Sequence, residues 1–165
     1  MKFARPINDK TPNVTNPFGP THKGTDYGYI NGTPIYASED GEILIAKGDE
    51  SRQWIANTPS DPFPYPRALK TEDYGNYIKI DHGESYSTLY GHLKLNSLLV
   101  SIKDKVKKGQ KIAEIDTTGN STGNHLHWEI RKNNLVIDPV PLLDNDWDKY
   151  FTQVVPEPTP TPVDP

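Results

Sequence analysis

The chain contains no cysteine. That excludes a disulfide framework and a thiolate metal site, so any metal must be held by histidine, aspartate or glutamate. It also lacks an excess of basic charge. A net charge of −4, with no basic stripe, argues against a nucleic-acid partner. No segment approaches transmembrane length, which argues against a membrane partner. The first residues, Met1-Lys2-Phe3-Ala4-Arg5-Pro6, hold no apolar run of signal-peptide length. Two histories fit: release of a cytoplasmic product by other means, or a trimmed leader. Long helical periodicity is missing as well, while glycine and proline number 12 and 16. Together these point to an all-β fold with many turns. Hydrophobic residues make up only 33% of the 165 residues, yet that length is enough for one domain with a real core.

Among what is present, His125-Leu126-His127-Trp128-Glu129-Ile130 alternates strictly. On an extended strand, Leu126, Trp128 and Ile130 share one side and His125, His127 and Glu129 the other. The apolar side requires a core. The polar side then sets two imidazoles and a carboxylate in a row, successive ones about 7 Å apart, suited to lining one cleft. Glu129 reads equally as an exposed strand carboxylate or as a group that supports a site or binds substrate.

Upstream, Thr21-His22-Lys23-Gly24-Thr25-Asp26 places a histidine and an aspartate four residues apart. Gly24 and Gly28 disfavour a helix, so His22 is expected at a strand or loop end and Asp26 in the following strand. The pair suits a zinc ion or a simple surface hydrogen bond. Pro34–Ala37 and Gly41–Ala46 read as short strands joined by a Ser38–Gly41 turn. Residues 49–74 mix Trp54, Phe63 and Tyr65 with four prolines, an insertion that either walls a substrate groove or packs on itself. Asn76–Asp81 and Tyr86–Tyr90 form a hairpin, with His92 expected just beyond the second strand and His82 structural or exposed. A tight glycine turn at Lys107–Gln110 leads into a strand ending near Ile115. Asp116–Asn124 is a loop of small donors, of which Asn120, Ser121 and Thr122 are candidates to bind substrate backbone. A short turn or helix is expected over 142–151. From Val154 onward, proline at every second position reads as a semi-rigid linker, 154–165, cut before another domain.

Taken in order, His22-x3-Asp26, Tyr90-Gly91-His92-Leu93 and His125-x-His127 make a set. The chain resembles the lysostaphin/LytM-type zinc metallopeptidases, which cut peptide bonds in bacterial peptidoglycan. The resemblance runs from Asn16-Pro17-Phe18-Gly19 to Asp138-Pro139, interrupted by the insertion. It also takes in Tyr77–Gly83, Tyr86–Leu93, Asp104–Gln110 and Thr118–His127. It implies an antiparallel β-sheet crossed by a narrow groove, within a catalytic domain spanning 1–153. His22, Asp26 and His127 would be the zinc ligands, and His92 and His125 the catalytic histidines that do not bind metal. The expected product is a monomeric endopeptidase acting at the bacterial cell wall, whether a phage-type lysin or a wall-remodelling enzyme.

That chemistry is coherent on its own. Three protein ligands leave a fourth zinc position for water. No H-E-x-x-H glutamate is present, and His92 and His125 can supply what it would, one as general base and the other as a donor to the oxyanion or leaving amine. Two other readings compete. One is a carrier-type β-domain, suggested by Asp104–Ile112, in which His22 and Asp26 would have no job. The other is a metal-free binding module of the same fold, in which broken ligands would be expected.

Overall fold

The computed structural model describes residues 1–49 and 74–150, without the side chains of 147 and 148. The expectations for the 49–74 insertion, save its end residues Asp49 and Tyr74, and for the 154–165 linker concern residues outside that description. The described residues form ten strands: β1 Val14–Asn16, β2 Thr25–Gly28, β3 Pro34–Tyr36, β4 Gly41–Lys47, β5 Asn76–Gly83, β6 Tyr86–Leu93, β7 Lys105–Val106, β8 Lys111–Glu114, β9 His125–Lys132 and β10 Leu135–Ile137. The main sheet runs β1-β2-β9-β6-β5-β4-β7, with β10 also on β9, and every pair in it is antiparallel. A second sheet pairs β3 with β8. Short 3-10 turns at Val140–Leu142 and Trp147–Tyr150 follow. The all-β expectation holds.

The alternation in β9 does what its pattern demands. Leu126, Trp128 and Ile130 are fully buried, in one cluster with Ile78, Ile80 and Tyr90 of the main sheet and Ile35 and Ile112 of the small one. Burial of each of these side chains stabilises the fold by about 1.5–3 kcal/mol. That anchoring fixes which face of β9 looks outward, because a slip of one residue would drive His127 into the core.

Two local expectations change. The strands β3 and β4 exist but do not pair with each other; β3 joins β8, and β4 joins β5 and β7. The intervening turn is held from outside. Ala37 N donates to Gln110 O, Gly109 N to Ala37 O, and Lys108 N to Asp40 Oδ1 at 2.8 Å. The glycine turn after β7 thus captures it as a corner between sheets. His92, expected beyond a strand, lies inside β6 near its end. His82 is structural: its ring bonds Asp40 O and Thr88 Oγ1 and meets Phe3 edge-on at 5.5 Å.

Candidate functional site

β2, β9 and β6 lie side by side, and their outward faces meet at one point. Asp26 is directly opposite His127 across the β2–β9 pair, and Gly91 is opposite His127 across β6–β9. His22 precedes β2 and reaches back to the same place, its Nε2 3.2 Å from Asp26 Oδ2. Its Nδ1 faces Pro17 O at 3.3 Å, a carbonyl that only accepts. Nε2 is thereby left with a lone pair. His127 Nδ1 lies 2.8 Å from Asp26 Oδ1. One donor atom from each of His22, Asp26 and His127 falls within 4.8 Å of the other two. Tetrahedral donors about 2 Å from a zinc ion stand about 3.3 Å apart, so this N/N/O set needs only small side-chain adjustments to hold one.

Electrostatics tie the same three residues together. Burial alone would push His127 down, but hydrogen bonds to Asp26 and Glu129 and the charges behind them hold its pKa up, at about 9. Burial pushes Asp26 up, and the hydrogen bond from His127 with three nearby imidazoles overrides this to hold it below the usual carboxylate range.

Two further histidines flank the trio. The rings of His92 and His125 are 4.6 Å apart, and His92 is 6.0 Å from His127. His125 Nε2 comes within 3.8 Å of Asp26 Oδ2. Each ring is oriented by a carbonyl: His92 Nδ1 donates to Thr118 O at 2.7 Å, and His125 Nδ1 to Gly123 O at 2.8 Å. With Nδ1 so engaged, each ring turns Nε2 away from its carbonyl. Burial, with the charge of His125, pushes His92 down to about 3. His92 also has a positive φ of 61°, a strained backbone of the kind concentrated at functional sites. Tyr74 O accepts its N–H at 2.7 Å, and its own O accepts Asp116 N–H at 3.1 Å.

All five expected site histidines and carboxylates meet here. Glu129 does too, but the exposed alternative falls: it is only 2% accessible, bonded to His127 Nε2 at 3.0 Å and to Arg131 Nε at 2.7 Å. Ser121 is likewise buried. It takes a bond from Thr117 Oγ1 and gives one to Gly123 O, 3.2 Å from His125 Nδ1. Its hydroxyl shapes the loop behind His125, whereas Asn120 is half-buried and Thr122 exposed. Sequence reasoning missed Arg131 and Tyr74. Arg131 continues the His125/His127/Glu129 alternation by one step. Tyr74, the last residue of a proline-rich insertion, carries no pattern. A cavity of about 870 Å³ lined by Ala46, Lys47, Leu98, Val100 and Ile102 contains none of the site residues.

Comparison with known proteins agrees with this geometry. An uncharacterized metalloprotease of Buchnera aphidicola is 39% identical over 142 residues, covering 84% of this chain and 31% of that protein. The peptidoglycan DD-endopeptidase ShyB of Vibrio cholerae is 34% identical over 117 residues, covering 71% of this chain and 22% of that protein. The chain thus spans between a fifth and a third of these relatives. Among solved structures, a zinc containing peptidase from Vibrio cholerae superposes with a TM-score of 0.63 at 29% identity, covering 84% of this chain and 39% of that one. The catalytic domain of lysostaphin from Staphylococcus simulans gives 0.53 at 26% identity, covering 79% of this chain and 87% of that one. Residues 20–139 match the profile of Peptidase family M23, and the chain belongs to that family of metallopeptidases.

Proposed function

We propose that this chain is a zinc-dependent endopeptidase that hydrolyses peptide bonds in bacterial peptidoglycan and acts at the cell wall. The observation that carries the reading is the convergence of donor atoms from His22, Asp26 and His127, with the imidazoles of His92 and His125 beside them. Relatives named as peptidoglycan DD-endopeptidases support the substrate class.

His22, Asp26 and His127 would hold the metal. A zinc ion bound there supplies a polarised scissile carbonyl and a water whose pKa falls toward 7. The protein's own work is then proton handling. His125, half-buried and with Nε2 toward Asp26, would take a proton from the attacking water and return it to the departing amine. His92, buried with its ring 4.6 Å from that of His125, would present a second Nε2 that accepts a hydrogen bond from the attacking water. The Thr118 and Gly123 carbonyls keep both rings in the tautomer that aims Nε2 inward. Asn120 and Thr122, on the loop before β9, would meet substrate backbone.

The test is mass spectrometry of soluble fragments released from purified peptidoglycan, with and without a zinc chelator. New peptide termini that vanish with chelator are expected, and they name the bond. Fragments that persist in chelator, or no fragments from several wall types, overturn the reading.

A further inference from the structure

We infer that Thr118 is a positioning residue: its hydroxyl pins a bulge at the end of β6 that turns His92 out of the core and into the site. The inference rests on the proposed role of His92 and goes beyond it, since it names what keeps that side chain on the reacting face.

In β6, Thr88 and Tyr90 are fully buried toward the core, and Gly91 lies opposite His127 on the outward face. Strict alternation would send His92 inward and Leu93 outward. The reverse is observed. Leu93 is fully buried in the hydrophobic cluster, and the His92 ring stands 4.6 Å from that of His125. The register accounts for the switch. Ile78 pairs with Tyr90 and Asn76 with Leu93, so Gly91 and His92 together oppose the single residue Tyr77. This is a β-bulge, a device that re-aims a side chain and interrupts the ladder. The backbone records it at His92, whose φ of 61° lies in the left-handed region that few residues other than glycine adopt.

A conformation of this kind persists only where its surroundings hold it. Thr118 closes the bulge from the loop side. Its hydroxyl accepts the N–H of Asn76 at 3.1 Å and donates to Leu93 O at 2.7 Å, spanning the two residues at which β5 and β6 pair again. Asn76 Nδ2 also donates to Leu93 O, at 3.2 Å. The carbonyl of the same Thr118 takes His92 Nδ1 at 2.7 Å. One residue therefore fixes the bulge with its side chain and the ring with its backbone. Thr118 is 1% accessible, and Asn76 and Leu93 are fully buried, so these bonds lie away from competing water. Gly75 packs flat against the same residue, where a Cβ would lie 2.3 Å from Thr118 C. The partners of the hydroxyl include none of His22, Asp26 and His127, so its loss should spare the metal.

The test compares two variants of the whole protein. Thr118→Val keeps the shape and removes the hydroxyl, whereas Thr118→Ser keeps the hydroxyl. Turnover is measured on soluble cross-linked peptidoglycan fragments, and zinc affinity by competition with a chromophoric chelator. The nuclear Overhauser effect between the ring protons of His92 and His125 reports where the His92 ring stands. Thr118→Val is expected to lose kcat about 10–100-fold, with KM and zinc affinity within about twofold of wild type, as for a misplaced reacting group. The Overhauser effect should fade with it, and Thr118→Ser should restore both. Wild-type kcat with the Overhauser effect intact in Thr118→Val overturns the inference. So does a loss of kcat that Thr118→Ser shares, or one matched by an equal loss of zinc affinity. His92→Ala turning over at the wild-type rate would overturn the role of His92 itself, and the positioning role with it. The Overhauser effect tells these failures apart, because it reports the bulge with no substrate present. Should Thr118→Val fail to fold, Thr118→Ala removes the same hydroxyl and decides in its place.

Discussion

At the scale of single residues, the division between ligand and catalyst is directly testable. His127→Ala should lose both zinc and activity. His125→Ala should keep zinc while activity falls about 10²–10⁴-fold, the usual contribution of a general acid–base group. Loss of zinc in His125→Ala, measured by metal analysis, would sink the division. The same histidines set a pH signature in metal-free protein. His92 has a folded pKa near 3, below its unfolded value of about 6.5, so the unfolded chain binds more protons between those limits and stability rises with pH there. His127 has a folded pKa near 9, so its contribution is complete below about 6.5 and is lost as pH rises through 9. Asp26 and Glu129, both held low, add stability above about pH 4 that disappears on acidification. Thermal melts in chelator should therefore peak near pH 6–7, and a melting temperature still climbing from pH 7 to 9 would contradict this account. These residues were named through the family resemblance carried by His22-x3-Asp26, Tyr90–Leu93 and His125-x-His127, in a cysteine-free chain that leaves histidines and carboxylates as candidate ligands. The burial of Glu129 was not, since a strand carboxylate next to a histidine reads the same whether or not an arginine covers it.

At the scale of elements, β2 matters as much as β9. Gly24 enters β2 with φ of +138° and leaves no room for a side chain beneath His127. Gly24→Ala is expected to lower zinc affinity at least tenfold while far-ultraviolet circular dichroism stays that of the sheet; normal affinity would mean the ring can shift without penalty. β9 itself was legible to within two residues, because a period-2 pattern with three large apolar residues admits one register. The β3–β4 corner was not. Local turn residues signal a reversal, but whether the strands on either side pair depends on what captures the turn, and the Lys107–Gln110 backbone lies about 70 residues away in sequence. His92 shows the same limit. Its placement in β6 depends on hydrogen bonds to Tyr74 and Asp116, neither of which a local pattern specifies.

At the scale of the whole molecule, the two ends of the described chain are latched together. Phe3 bridges Leu143, and the amino group of Lys108, its side chain only 9% accessible, joins Glu39, Asp144 and the carbonyl of Lys2. Lys108→Met strands two carboxylates and should lower stability by about 1–3 kcal/mol without changing zinc affinity in the folded protein. Equal melting temperatures would show the latch to be idle. The fold class was legible from missing helical periodicity and abundant turns; this closure was not, since it joins residues more than a hundred positions apart. The pairing of Asp26 with His127 across β2 and β9 has the same long reach, 101 residues. A site assembled that way cannot exist in a half-made chain. Loops of that length close late and slowly, so metal capture belongs to the final stage of folding. An ion bound there would act as a clasp: it would resist the separation of these strands, and its release in a denaturant titration would mark the loss of the sheet itself.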